Sequence, residues 1–278
     1  MTAETIIAPR APASLSGALV RLSGGALLIS SWISAAIFGA FILAYYIGAV
    51  PRGAMTAWNH TLPQLYEPTT PLATLAMGGH FLTGAILLML GPVQFIGAIR
   101  RRIPAIHRWL GRLYVLSAGV AGVAGLSFIA LKGTVGGPIM SVGFGLYGAL
   151  MALSALQTYR YGLARKQDPH SAWATRLFAL AIGSWLYRLE YGFWFLATDG
   201  VGSNNGFSGP FDHVMAFFFY LPNLVVAEMV IRTRGRSSAP ARYVAAVALT
   251  LATGLVLLGS YFFITRYWWP GIVAAAMT

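Results

Sequence analysis

Uncharged stretches constrain this chain more than any other feature. No Asp, Glu, Lys or Arg occurs in residues 22–50, 68–99, 113–131, 133–159 or 243–265. Residues 177–198 carry only Arg188 and Glu190, and residues 214–231 only Glu228. A helix needs about 17–25 apolar residues to cross the hydrocarbon of a bilayer. In lipid each backbone group must be satisfied within the segment, so every stretch is expected to be a helix. Strands of a membrane barrel would show alternating segments of about 10 residues, and the pattern has none. The expected fold is all-α: one polytopic domain of seven transmembrane helices over residues 21–278. Residues 1–20, with Pro9, Pro12, Ser14 and Ser16, read as a mobile cytoplasmic tail. The first apolar run is longer than the 7–15 residues of a signal-peptide core, so it reads as an uncleaved anchor.

Composition agrees. Charged residues make up 9% of the chain and hydrophobic ones 57%, whereas soluble domains carry about a quarter charged residues. A net charge of +12 on a soluble protein would point to nucleic acid, but the positions of the charges say otherwise. Fifteen basic residues fall on one side of the expected spans: Arg10, Arg21, Arg100, Arg101, Arg102, Arg108, Arg112, Arg160, Arg165, Lys166, Arg176, Arg232, Arg234, Arg236 and Arg242. Three fall on the other, Arg52, Lys132 and Arg266. Short cytoplasmic loops are the ones enriched in Lys and Arg. The N-terminus is therefore expected in the cytoplasm and the C-terminus outside. Trp109 and Trp173 would mark the inner interface; Tyr261, Tyr267, Trp268 and Trp269 would mark the outer one. The arginines then face anionic lipid headgroups, and nucleic acid is set aside. With no cysteine, disulfides, thiol catalysis, iron–sulfur clusters and Cys-ligated zinc are excluded.

Two outer loops are long. Residues 51–71 hold Trp58, His60 and Glu67 between prolines, and residues 197–211 are rich in Gly, Ser and Asn, a composition that reads as mobile. Each is either a lid over an outward-facing site or a solvated connector.

Polar side chains inside the bilayer are the first places to look for function. At 100° per residue, His80, Gly84, Leu87, Gly91 and Gln94 share one stripe of the second span. A histidine leading a glycine track suits a flat macrocycle, and equally suits close helix packing. His107, Gly111 and Tyr114 share a face of the third span. His170, Ser184 and Arg188 share one of the fifth, and His213 and Tyr220 one of the sixth. Two layers follow. An outer one would hold His80 and His213 at the depth of Arg188, Glu190 and Asp212; an inner one would hold His107 and His170 with Gln94, Arg112 and Arg176. Haem b can be held by two imidazoles from facing helices, with arginines for its propionates. On this reading His80 and His213 are the iron ligands, and the inner pair holds a second haem or a quinone. Zinc on His80, His213, Asp212 and Glu190 would lack any local signature spacing. The inner histidines lie about 8–9 Å on the cytoplasmic side of Arg112 and Arg176, which places them in the headgroup zone.

Arg188 and Glu190 point about 200° apart on one helix, so each needs another partner. Arg188 has a carboxylate, a propionate or an anionic substrate open to it; Glu190 has His80 or His213. Glu228 can pair with Arg232 one turn on. His107-Arg-Trp109-Leu-Gly-Arg112 and His170-Ser-Ala-Trp173-Ala-Thr-Arg176 read as a weak internal repeat.

These residues resemble a known family. His80, the run GPVQF followed by Arg100, Arg101 and Arg102, HRWLGRLY at 107–114, His170, Trp173, Arg176, Arg188 and LPNLVVAE at 221–228 are similar to the bacterial membrane proteins grouped as domain of unknown function 2306. The resemblance covers roughly residues 75–232. It departs at Ala174, where the family pattern is closer to His-x-x-Trp-Met-x-Arg. The family label implies no reaction, and likeness to di-haem membrane cytochromes is one of architecture. Three functions stay open: electron transfer through haem b or a quinone, with a quinol or redox partner; a small-molecule or proton-coupled transporter using Arg188 and Glu190, with helix breaks at Pro92 and Pro222; and an accessory subunit without its own chemistry.

Overall fold

A computed structural model describes residues 15–232 and 238–277. Residues 1–14, most of the expected tail, and Arg234 and Arg236 lie outside the described residues. All regular structure among the described residues is helical. Helix α1 spans Leu15–Phe41 and continues through a π-helical stretch, Ile42–Ile47; α2 spans Pro71–Leu90 and tightens into a 3-10 turn, Pro92–Phe95. Then come α3 (Gly97–Arg102), α4 (Pro104–Lys132), α5 (Gly137–Leu163), α6 (Gln167–Ala181), α7 (Gly183–Thr198), α8 (Pro210–Phe218), α9 (Leu221–Arg232) and α10 (Ala239–Phe263). A second π-helical stretch, Ile264–Trp268, leads into α11 (Trp269–Met277).

The tail was expected to reach residue 20, but α1 already begins at Leu15. Arg21 does not stop it, because a long cationic side chain keeps its head in water while its stem follows the helix. Pro71, Pro104, Pro138, Pro210 and Pro240 each stand in the first turn of a helix, where the missing N–H has no partner to lose. The breaks expected at Pro92 and Pro222 are present: α2 tightens at Pro92, and α8 gives way to α9 just before Pro222.

Six segments are long and apolar enough to cross a membrane: 15–47, 71–94, 104–132, 137–163, 210–232 and 239–277. The remaining expected span is divided into α6, of 15 residues, and α7, of 16, with Ile182 between them. This pair differs from the rest in its surroundings. Every other long helix shows a stripe of exposed leucines or valines, such as Leu72, Leu75 and Leu82 on α2 or Val244, Leu251 and Leu255 on α10. No large apolar side chain between Leu163 and Phe195 is exposed. α6 packs on α5 and α9, and α7 on α10. Trp185 on α7 donates to Ser34 of α1 (2.9 Å), and the Ser260 hydroxyl of α10 meets the same oxygen (2.7 Å). Up to Trp194, α7 thus keeps its large apolar side chains within the bundle, a setting that tolerates the polar residues that lower its apolarity.

The core has two parts. One gathers Phe38, Tyr46, Trp58, Met77, Trp185 and Trp268 between α1, α2, α7, α10 and the first outer loop. The other gathers Leu87, Tyr114, Ala118, Met151, Leu177, Tyr191 and Phe219 between α2, α4, α5, α6, α7 and the α8–α9 region.

The two long loops are tied structures. Trp58, fully buried, donates to the Tyr46 carbonyl (2.9 Å), and Lys132 pairs with Glu67 (3.1 Å). In the second loop Asp212 accepts from the Tyr191 and Ser203 hydroxyls (2.8 and 2.7 Å) and from the Gly209 and Asn204 amides (2.9 and 3.2 Å). A Gly/Ser/Asn composition read as mobile is therefore held by one carboxylate that the composition does not reveal.

Candidate functional site

Two of the expected histidines share one posture. His80 of α2 places Nδ1 2.9 Å from the Ala121 carbonyl of α4, and His170 of α6 places Nδ1 2.9 Å from the Thr158 carbonyl of α5. Each ring rests on the glycine four residues beyond that carbonyl. A Cβ at Gly125 would stand 3.3 Å from the His80 Nδ1, and one at Gly162 would stand 3.2 Å from the His170 Nδ1. A carbonyl only accepts, so Nδ1 carries the proton in both, and in the neutral ring Nε2 keeps its lone pair. That is how proteins prepare an imidazole to ligate a metal or accept a proton.

The surroundings of the two rings differ. His80 lies within electrostatic reach of Arg188, which is also felt at Tyr46, Tyr147 and Tyr187. Arg188 is held by its own helix and by α1: Nη1 donates to the Ser184 carbonyl (2.7 Å), and the guanidinium lies 4.5 Å from the centre of the Phe38 ring. Among the described residues it has no carboxylate partner. Tyr147 donates to the Leu180 carbonyl (2.9 Å), satisfying backbone near the break between α6 and α7. One turn from His80, Gly84 is on the side of α2 opposite Leu72, Leu75 and Leu82 and so faces the bundle centre. A Cβ there would meet no atom within 4 Å. His80 and Gly84 thus face the bundle centre with Arg188 within electrostatic reach, and this inward region is the candidate chamber. One turn further toward the basic side is an apolar cavity of about 260 Å³, bordered by Ala35, Leu87, Leu88, Ala181, Ile182 and Trp185.

The rest of the expected outer layer does not join this chamber. Asp212 is fully buried and occupied as the cap of α8. His213 has no side-chain hydrogen bond among the described residues, and Arg188 is the one charged group felt at His80. Glu190 leaves Oε2 buried without a partner and forms no ion pair with Arg188, as their opposite directions on α7 require. Among the described residues no group of three or more His, Asp and Glu side chains is placed to hold a metal ion.

At the basic end, the Gln94 amide rests against Gly111 of α4, whose Cβ would stand 3.4 Å from Oε1. Gln94 Nε2, His107 Nδ1 and the Tyr114 hydroxyl are buried without a partner. His107 lies within electrostatic reach of Arg100 and His170. The two arginines of the repeat do share a geometry: Arg112 lies 5.0 Å from the Trp109 ring centre, and Arg176 lies 4.7 Å from that of Trp173. Only Arg176 goes on to a carboxylate, that of Glu228, which also meets Arg232 at 3.6 Å. The local Glu228–Arg232 pair exists, but the closer partner comes from another helix.

Sequence reading missed the tyrosines. Tyr46, Tyr147 and Tyr187 lie within electrostatic reach of Arg188, and their only prior signal was a hydroxyl in the middle of an apolar run.

A family model described as a predicted membrane protein (DUF2306) matches residues 77–231, more than half of the chain. No curated protein and no solved structure matches it.

Proposed function

The chain belongs to the DUF2306 family of predicted membrane proteins, and we propose that it is a seven-helix quinone-binding protein of the bacterial inner membrane, serving electron transfer. Taken together, α6 and α7 are about 46 Å long at 1.5 Å per residue, ample for a seventh crossing. With seven crossings, Arg100, Arg108, Arg112, Arg160, Arg176 and Arg232 share the cytoplasmic side. The C-terminus is then outside.

One observation carries the chemistry: a prepared imidazole lies within electrostatic reach of an arginine that has no carboxylate partner among the described residues. A quinone ring offers carbonyl oxygens, which accept from Arg188; a hydroquinone offers hydroxyls, which donate to the His80 Nε2. Charge-assisted bonds of this kind are strengthened where water is excluded. The apolar cavity next to Leu87, Leu88 and Trp185 lies where an isoprenoid tail would extend.

Haem b is the second reading, favoured by the Nδ1–carbonyl bonds of His80 and His170. The residues fit it less well. The cavity beside the chamber is below the roughly 300–1,000 Å³ of ordinary small-molecule sites, which suits a chain better than a macrocycle. His213, the expected second ligand, has no described link to His80. A transport site using Arg188 and Glu190 would need a separate partner for each, since the two form no ion pair among the described residues.

Purified protein in nanodiscs should bind a short-chain ubiquinone analogue and show no Soret band after expression with ample haem. A Soret band lost in His80→Ala would replace the quinone with haem.

A further inference from the structure

Two helix interruptions border one cavity. The apolar space of about 260 Å³ touches Pro92, where α2 tightens, and Ile182, where α6 gives way to α7. Along α1 its border runs from Gly24 through Leu27, Leu28 and Ser31 to Ala35, one face of the helix over about 16 Å. Its two ends differ. Ala35, Leu87, Ala181 and Trp185 are buried, whereas Gly24, Leu27, Leu28, Ser31 and Phe178 are half-buried. The cavity is therefore closed toward Trp185 and opens between α1 and α6. α1 packs mainly on α10 and α2, and α6 on α5 and α9, so the mouth separates two groups of helices. Leu22, Ile29 and Ile33 of α1 are exposed beside it, and the mouth thus meets hydrocarbon.

An apolar cavity of this kind stays dry, and a void left empty in a close-packed interior forfeits dispersion contacts. A hydrocarbon chain restores them, and lipid beside the mouth is as apolar as the lining. The closed end decides which chain. On α1, α2 and α7 at once, the next turn outward carries Phe38, Gly84 and Arg188. The Arg188 guanidinium lies 4.5 Å from the centre of the Phe38 ring. A molecule with a polar head at Arg188 and a chain behind it matches both regions.

We propose that the isoprenoid tail of a membrane quinone lies in this cavity and runs out into the lipid through the mouth between α1 and α6. The substrate class is then a tailed, membrane-resident quinone, and a soluble one lacks half of its contacts. The head end rests on the quinone-site reading; the cavity and its mouth do not.

The test uses the full chain in nanodiscs and a farnesyl chain bearing a photoreactive diazirine, made with and without a ubiquinone head. Adducts are mapped by mass spectrometry. Both probes are expected to label Leu27, Leu28 and Phe178 several-fold more than the lipid-facing Ile29 and Ile33. Ser31→Phe, at the half-buried mouth, should lower cavity labelling several-fold while the affinity for tail-less ubiquinone stays unchanged. Gly24→Leu, where an added Cβ meets only the Leu249 side chain at 3.9 Å, should block the other end of the mouth in the same way. Labelling of the cavity no stronger than that of Ile29 and Ile33 would overturn the proposal. So would cavity labelling indifferent to both substitutions. The headless probe needs no head site, so loss of the chain site and absence of quinone binding give different results.

Discussion

His80 and His170 are the same bond made in two places. Each gives Nδ1 to a carbonyl of the preceding or following span at 2.9 Å, and each lies on a glycine one turn beyond that carbonyl. What differs is what the other face of the ring meets. His80 has Arg188 within electrostatic reach and the open side of Gly84 one turn away; around His170 are His107 and a rim of exposed basic residues. The shared posture is a helix-to-helix staple, useful in a bilayer where apolar burial does not drive helices together. Chemistry needs a second ingredient, a charged donor close by, and of the two rings His80 is the one with Arg188 within electrostatic reach.

Exchanging the parts of this comparison should separate the two roles. The largest expected effect is Arg188→Ala, which removes the charged donor. Quinone-analogue affinity should fall by at least tenfold, consistent with the ~1.5–3 kcal/mol of a hydrogen bond to a charged group. Arg176→Ala should leave that affinity unchanged. Titration of both variants in nanodiscs checks the pair.

A smaller effect is expected from pushing each ring off its glycine. Gly125→Ala and Gly162→Ala place a Cβ 3.3 and 3.2 Å from an imidazole nitrogen. Overpacking of this kind typically destabilises by about 1–3 kcal/mol. Thermal unfolding should show similar losses for the two variants, yet quinone binding should weaken only in Gly125→Ala. Equal weakening in both would mean the staple posture, and not the chamber, governs binding.

Less still is expected from His170→Ala, near 1 kcal/mol for one net hydrogen bond, with quinone affinity retained. The smallest effect should come from Glu228→Gln at the basic rim. Its pairs with Arg176 and Arg232 are half-exposed, and such pairs contribute about 0–1 kcal/mol. Chemical denaturation at low and high salt would show a small difference that shrinks as salt rises.

The spans were legible because lack of charge over a membrane-length run has one physical meaning. The inward faces carrying His80, His107 and Arg188 were legible because helical periodicity fixes direction on a single helix. Partnership was not. The groups that hold His80 and His170 are backbone carbonyls, which have no letter in a sequence, and Gly125 and Gly162 gain their role only from a ring on another helix. Arg176 and Glu228 are 52 positions apart, so the nearer Arg232 drew the eye. The interruption at Ile182 carries no proline; it is visible only in the fold, where Tyr147 reaches the Leu180 carbonyl. Asp212 read as an embedded charge because its four hydrogen-bond donors come mostly from a loop whose residues looked mobile.

The central claim is that the His80–Arg188 chamber holds one quinone head group. Equilibrium titration of purified, nanodisc-embedded protein with a short-chain ubiquinone analogue tests it most directly, read against Arg188→Ala and His80→Phe. The account predicts one saturable site per chain in the wild type, lost in both variants while their thermal unfolding stays cooperative. Saturable binding that persists unchanged in both variants, or a folded wild type that binds none, would contradict it.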